Sequence, residues 1–290
     1  EIRLSLVGSE MCIRDRFLDS TKANLFFAKG IIMVEGDAEN ILVPIIADIL
    51  GYPLEKYGVS IVNVGSTAFL RYSRIMIRKD GSCIGIPVSV ITDCDVRPYD
   101  IAEDTNEKVF NEKTLESTRI ENEKNEKYTS GSVRGFTSSR WTLEYCIAMS
   151  CLSEDFHKSV HYGKKILNAR EHISLTDEKI SEADQEVTKE VAEWKELPPW
   201  RKAYEIYSLM LDKDGKSGLK AIVAQCLASI LRWKTSIIPE EIKQEKMFDL
   251  DLYRLRTDAQ KKAELKSKIE EDQFLSYIVK AIKYAAGENV

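Results

Sequence analysis

Short apolar runs punctuate the N-terminal third of the chain: Ile31-Ile32-Met33-Val34, which is continuous, then Val59-Ser60-Ile61-Val62-Asn63-Val64 and Ile86-Pro87-Val88-Ser89-Val90-Ile91. The uninterrupted first run suits a strand buried on both faces. Between the first two, Ala38, Ile41, Leu42, Ile45, Ile46 and Ile49 recur at helical spacing up to a stop at Gly51 and Pro53. Pro44 removes one ladder hydrogen bond from that helix and predicts a kink. Residues Thr67 to Arg78 read as a second helix. The resulting βαβαβ order predicts an α/β fold with a parallel sheet and right-handed crossovers.

Residues 103–127 hold eight acidic and five basic side chains, which predicts a solvated helix or a mobile connection. Ser132-Val133-Arg134-Gly135-Phe136 reads as a further strand. From Trp141 onward the pattern is mostly helical, weakly so over 173–196, with a break at Pro198-Pro199. Leu219, Ile222, Val223, Cys226, Leu227, Ile230 and Leu231 form one apolar stripe. Residues 240–284 predict a charged helical hairpin.

Composition narrows the class. With 290 residues, 43% hydrophobic and 31% charged, the chain is long enough for a sizeable core and is not of disordered type. The net charge of −5 gives no global attraction to nucleic acid, so any DNA contact rests on a local basic face or on bound cations. No apolar stretch approaches the roughly 20 residues of a membrane span. The six cysteines show no CxxC pairing, which excludes zinc fingers and disulfide scaffolds and makes a reduced, cytoplasmic setting the expectation. The chain opens on Glu1 rather than Met and is expected to be a piece of something longer. Residues 5–16, SLVGSEMCIRDR, resemble a translated sequencing adapter and are set aside.

Four carboxylates stand out by position. Glu35 and Glu39 flank the first strand-to-helix turn, and Asp93 and Asp95 close the third strand. Ligands of open parallel sheets bind outside the carboxyl ends of the strands, where these residues would meet. Carboxylates so close raise each other's pKa unless a cation neutralises them, and hard oxygen donors favour Mg²⁺ or Mn²⁺ over zinc. The simpler alternative makes Asp37 the helix N-cap and Glu39 a partner of the helix dipole. Glu144 is a carboxylate within the otherwise apolar segment Trp141 to Leu152, where an unpaired buried charge costs on the order of several kcal/mol. It therefore needs a cation or a hydrogen-bond donor, unless it faces solvent. Arg71, Arg74 and Arg78 share a face of the second helix and could contact DNA phosphates, or simply be solvated; Arg97, beside Asp95, is a closer candidate for holding a phosphate. His157 and His161, at i and i+4, have a spacing that suits zinc. With no third ligand or HExxH pattern they read as surface residues.

The residues then carry a resemblance. Val34-Glu35-Gly36-Asp37-Ala38-Glu39 with Asp93-Cys94-Asp95 downstream resembles the Toprim domain of topoisomerases, primases and related nucleases. Asn24-Leu25-Phe26-Phe27-Ala28-Lys29-Gly30, Val62-Asn63-Val64-Gly65-Ser66 and Trp141-Thr142-Leu143-Glu144-Tyr145 narrow it. Together they are similar to the C-terminal half of OLD-family (overcoming lysogenization defect) ATP-dependent endonucleases, over roughly residues 17–235. The resemblance implies a Toprim-type, Rossmann-like parallel sheet flanked by helices, with an added C-terminal helical region. It also implies phage defence and hydrolysis of DNA phosphodiesters by two divalent ions, Mg²⁺ or Mn²⁺, about 3.5–4 Å apart. Glu35, Asp93 and Asp95 would hold one ion, and Glu39 and Glu144 would hold or share the other. A lysine before the AQ-containing helix contributes to catalysis in the family; Lys220 matches it, with Lys216 one turn away as the alternative. On this reading Glu35, Asp93 and Lys220 are the catalytic group. Family members also carry an ABC-type ATPase domain. No GxxxxGK[ST] loop occurs here, so no ATP site is expected in this stretch.

The expected organisation is a non-native leader at 1–16, a linker from the ATPase domain at 17–29, a Toprim core at 30–152, and a helical region at 153–290 that completes the nuclease site. Expected partners are DNA, the ATPase domain and a second copy in a homodimer, with no membrane. The rival readings are other Toprim chemistry, such as RNA cleavage or topoisomerase- or primase-like action, and a non-catalytic DNA-binding or assembly module with a structural metal.

Overall fold

The computed structural model describes residues 27–65, 85–103, 105, 107–168, 175–211, 218–252 and 255–289. The leader at 5–16, the helix expected at 67–78 with Arg71, Arg74 and Arg78, and Lys216 lie outside the described residues.

The chain begins with β1 (Gly30–Val34), α1 (Asp37–Leu50), α2 (Leu54–Tyr57), β2 (Val59–Asn63) and β3 (Val88–Thr92). A small antiparallel hairpin, β4 (Tyr99–Ile101) and β5 (Lys108–Phe110), leads to α3 (Thr114–Tyr128) and β6 (Val133–Thr137). Strands β2, β1, β3 and β6 form, in that order, one fully parallel sheet. In register, Ile32 lies between Ile61 and Ser89. Every residue of β1 and β3 is buried, which accounts for the uninterrupted apolar run of β1; the buried hydroxyls of Ser89 and Thr92 in β3 are hydrogen-bonded. Their side chains divide by strand alternation: Ile32, Val34 and Ile91 enter the large core shared with the helices, while Ile31, Met33, Val88 and Val90 pack with Val62 and Tyr128.

The helices that follow are α4 (Leu143–Met149), α5 (Ser153–Asn168), α6 (Asp177–Glu193), α7 (Pro199–Ser208) and α8 (Lys220–Lys234). A two-residue ribbon, β7 (Ser236–Ile237) with β8 (Arg256–Thr257), brackets a 3₁₀ segment at Gln244–Leu252, and α9 (Ala259–Glu271) and α10 (Ser276–Ala285) complete the chain. The ribbon is too short to leave a periodic signal in sequence. Helix α1 runs without interruption through Pro44. The charged stretch 103–127 contains β5, the second strand of that hairpin, and most of α3, which buries only Ser117 and Tyr128.

Helix α10 covers the sheet. The Ser89 hydroxyl donates to the Ala281 carbonyl at 2.7 Å, and the Tyr284 hydroxyl donates to the Ser132 carbonyl at 2.9 Å. At Gly30 the backbones approach so closely that an added Cβ would stand 1.9 Å from the Ala285 carbonyl oxygen. One apolar cluster therefore joins β1 and α1 to α4, α8 and α10. No helix among the described residues is long and apolar enough to cross a membrane.

Candidate metal centre

At the carboxyl end of β1 the chain turns at Glu35-Gly36 into α1. Gly36 occupies the N-cap position, without a side-chain cap; Asp37 is the first helical residue and accepts a hydrogen bond from the Asn63 amide at 2.7 Å. This ties the start of α1 to the end of β2. Glu39, in the first turn of α1, is 8% exposed. At the end of β3 the Thr92 hydroxyl donates to Glu35 Oε1. The next residue, Asp93, accepts the Leu143 N–H at 2.9 Å, so it anchors the first turn of α4 to the sheet. That turn carries Glu144, which is 3% exposed and receives a hydrogen bond from Lys220 Nζ at 3.0 Å.

Glu35, Asp37, Glu39, Asp93, Glu144 and Lys220 line one cavity of about 400 Å³. Among the described residues, five carboxylates thus face a single ammonium. Burial first, and then the Glu144 charge, push the Glu39 carboxyl up to about 7. Burial and the charges of Glu144 and Glu39 likewise push Asp93 well above the usual carboxylate range. Burial opposes the charge on Lys220, but Glu144, Tyr207 and Asp93 outweigh it and hold its ammonium above the ordinary lysine value. A wider hollow of about 920 Å³ beside α6, lined by Asp177, Asp184 and Lys189 among others, gathers no such cluster.

The structure separates Asp95 from this group. Asp95 has φ +67°, is exposed, and lines a neighbouring cavity with Arg97, Lys113 and Lys124. Lys124 Nζ lies 2.6 Å from Asp95 Oδ2 and donates to the Asp93 carbonyl at 2.7 Å. Lys124 left no mark in sequence, because its helix reads as a solvated charge run. Thr92, Tyr207 and Tyr277 were equally silent. Tyr277 is buried, its hydroxyl has no hydrogen-bond partner among the described residues, and burial with the nearby charges of Cys146, Asp93, Glu39 and Glu144 holds it above the ordinary phenol value.

The reading of His157 and His161 as surface residues is corrected. They are 1% and 4% exposed, facing α6, and a carboxylate that sequence did not supply, that of Glu190, stands beside both. It was missed because it comes from a different helix. The described cysteines Cys94, Cys146, Cys151 and Cys226 are free thiols.

The donor set in the carboxylate cavity fits a hard divalent cation. All its anionic donors are oxygens, their charge exceeds what Lys220 balances, and two of them are pushed toward protonation without further neutralisation.

The family model described as overcoming lysogenization defect protein-like, TOPRIM domain, matches residues 26–95. Among solved structures, the chain is similar to the C-terminal region of the OLD protein of Xanthomonas campestris pv. campestris. The identity is 20%, covering 90% of this chain and 96% of that one, with a TM-score of 0.42. It is also similar to the C-terminal region of the Burkholderia pseudomallei OLD protein, with 20% identity, 71% and 99% coverage, and a TM-score of 0.30. No curated protein matches the chain. Residues 26–95, the stretch that supplies Glu35, Glu39, Asp93 and Asp95, resemble a Toprim domain of the overcoming-lysogenization-defect type.

Proposed function

We propose that this region is the nuclease module of an OLD-type ATP-dependent endonuclease, hydrolysing DNA phosphodiesters with two divalent ions, Mg²⁺ or Mn²⁺. In the whole protein it would be coupled to an ABC-type ATPase domain, act as a homodimer, and work in the cytoplasm against phage. The observation that supports this most is the meeting of Glu35, Glu39, Asp93, Glu144 and Lys220, drawn from four separate segments, around one cavity.

Bound there, the ions would neutralise the phosphate and lower the pKa of an attacking water. Glu35, Asp93 and Asp95 would hold one ion, Glu39 and Glu144 the other. Asp95 joins the set by giving up Lys124. Asp93 is already oriented by the Leu143 N–H, and Glu35 by Thr92. Lys220 keeps its proton and places a fixed positive charge where negative charge develops on the phosphoryl oxygens. Arg97, at the neighbouring cavity, would grip a DNA phosphate, and Arg71 and Arg74 would extend that contact.

Nicking of supercoiled plasmid by the purified protein tests the reading. Cleavage should require Mg²⁺ or Mn²⁺ and disappear in Asp93→Ala and Glu144→Ala. Normal nicking by either variant would refute the assignment. A covalent protein–DNA adduct trapped on denaturation would point instead to strand passage.

A further inference from the structure

Away from the Toprim cavity, α5 and α6 cross with polar side chains between them. His157 and His161 stand one turn apart on α5, and Glu186 and Glu190 one turn apart on α6. Glu190 Oε2 lies 2.6 Å from His157 Nε2 and 2.7 Å from His161 Nε2. Glu186 Oε2 lies 2.8 Å from His161 Nδ1. The His157 ring stacks on Trp194, with centroids 5.3 Å apart and planes inclined by 17°, which fixes the direction of its Nε2.

Both ring nitrogens of His161 face carboxylate oxygens, Nε2 toward Glu190 and Nδ1 toward Glu186. A divalent ion on the Nε2 side would be held by both Nε2 atoms and the Glu190 carboxylate, with Nδ1–H of His161 donating to Glu186. Such a carboxylate behind a histidine ligand fixes its tautomer and raises its basicity. The ligand atoms of His157, His161 and Glu190 all lie within 4.8 Å of one another. Bonds of about 2.0–2.1 Å around a tetrahedral ion need ligand atoms about 3.4 Å apart, so the 2.6 and 2.7 Å contacts to Glu190 would open by less than about 1 Å to admit it.

We propose that His157, His161 and Glu190 form a second metal site that takes one first-row transition-metal ion of the zinc class, with Glu186 orienting His161. The donor chemistry separates it from the Toprim cavity: two imidazole nitrogens with one carboxylate suit Zn²⁺, whereas an all-carboxylate set suits Mg²⁺ or Mn²⁺. The Glu190 side chain is 21% exposed, so this end of the site faces solvent. The ion would clamp α6 to α5. Helix α5 in turn holds α8 through the Asp155–Lys234 ion pair, and α8 begins at Lys220. The site is thus structural, bracing the helix that carries the lysine.

The test uses Asp93→Ala protein, to weaken metal binding at the carboxylate cavity, stripped with chelator, loaded with Zn²⁺ and dialysed against Mg²⁺. Elemental analysis should find one retained zinc, and Co²⁺ loading should give the visible absorption of a tetrahedral nitrogen–oxygen site. His157→Gln with His161→Gln in that background should lose both signals. Glu186→Gln should weaken Zn²⁺ binding about 10–100-fold. Because the double variant could fail by unfolding, the same pair is placed in the otherwise native chain, where circular dichroism and the Mg²⁺-induced rise in melting temperature report an intact fold. No zinc retained by folded Asp93→Ala protein, or zinc retained equally by the folded double variant, would overturn the proposal.

Discussion

Lys220 on α8 and Glu144 on α4, 76 positions apart, form a 3.0 Å ion pair in which the carboxylate is buried and the ammonium reaches the cavity. The pair gives the two residues different expected phenotypes. A protonated lysine cannot ligate a metal ion, so Lys220→Ala should reduce nicking by about 10²–10³ while preserving the Mg²⁺-induced rise in melting temperature. Glu144→Ala should lose activity together with part of that rise. Lys216→Ala is the control: if it is inactive and Lys220→Ala is not, the lysine has been misassigned.

Asp93 combines two jobs that one substitution can separate. Asp93→Asn keeps an oxygen to accept the Leu143 N–H but removes a charge repelled by Glu144 and Glu39. The metal-free variant should be more stable than wild type by about 1 kcal/mol, within the range of single stabilising substitutions. It should also be inactive. Calorimetry without metal, with a parallel nicking assay, checks both halves; a destabilised Asp93→Asn would mean that repulsion in the cavity is not the dominant force.

The pH dependence follows from Glu39, whose carboxyl rises from an ordinary 4.5 to about 7 through burial and the Glu144 charge. A carboxyl raised in this way holds its proton more tightly in the folded state. Its stabilising effect is complete below 4.5, declines as pH rises, and is spent above about 7. Asp93 acts in the same sense. The melting temperature of metal-free protein should therefore fall across that window. The Mg²⁺-induced rise should grow across it, since ions compete with protons for the same oxygens. Glu39→Gln should flatten both trends in scanning fluorimetry; an unchanged profile would remove Glu39 as their source.

How much of this was legible in sequence depended on whether the signal was local. The strands at Ile31, Val59 and Val88 and the stripe on α8 announced themselves because each is a contiguous pattern. Glu35, Glu39 and Asp93 could be expected to share a cavity because strand ends in a parallel sheet fix where such residues meet. The burial of Glu144 and its need for a partner were readable from its apolar surroundings. The partners that come from other segments were not legible: Lys124 for Asp95, Glu190 for the two histidines, and Tyr277 from the last helix. Asp95 shows the limit from the other side. Its motif places it at the strand end, but a positive φ and the Lys124 ammonium direct it to a neighbouring cavity.

That ammonium acts as a competitor. Lys124→Ala should free Asp95 for a divalent ion, so the Mg²⁺ concentration giving half of the melting-temperature rise should fall severalfold. The surface pair itself contributes roughly 1 kcal/mol or less, so overall stability should hardly change. A higher Mg²⁺ requirement in a titration would show that Lys124 positions the site through the Asp93 carbonyl instead.

Gly30 tests the cover of the sheet. Gly30→Ala drives a methyl toward the Ala285 carbonyl, a contact of 1.9 Å before relaxation. Destabilisation of about 3 kcal/mol is expected, the upper end for overpacking. Denaturant unfolding measures it directly, and a neutral outcome would place α10 elsewhere.

The seat of α10 on the sheet also sets the order in which the protein can be completed. The Ser89–Ala281 and Ser132–Tyr284 contacts join residues 192 and 152 positions apart. Contacts of such high order are closed late and slow the folding of a chain, because the intervening loop must be ordered first. During synthesis the strands emerge well before their cover. Until residues 276–285 leave the ribosome, the apolar face formed by Ile32, Val34 and Ile91 lacks the helix that shields it, and a nascent chain stalled short of that point would offer this face to chaperones.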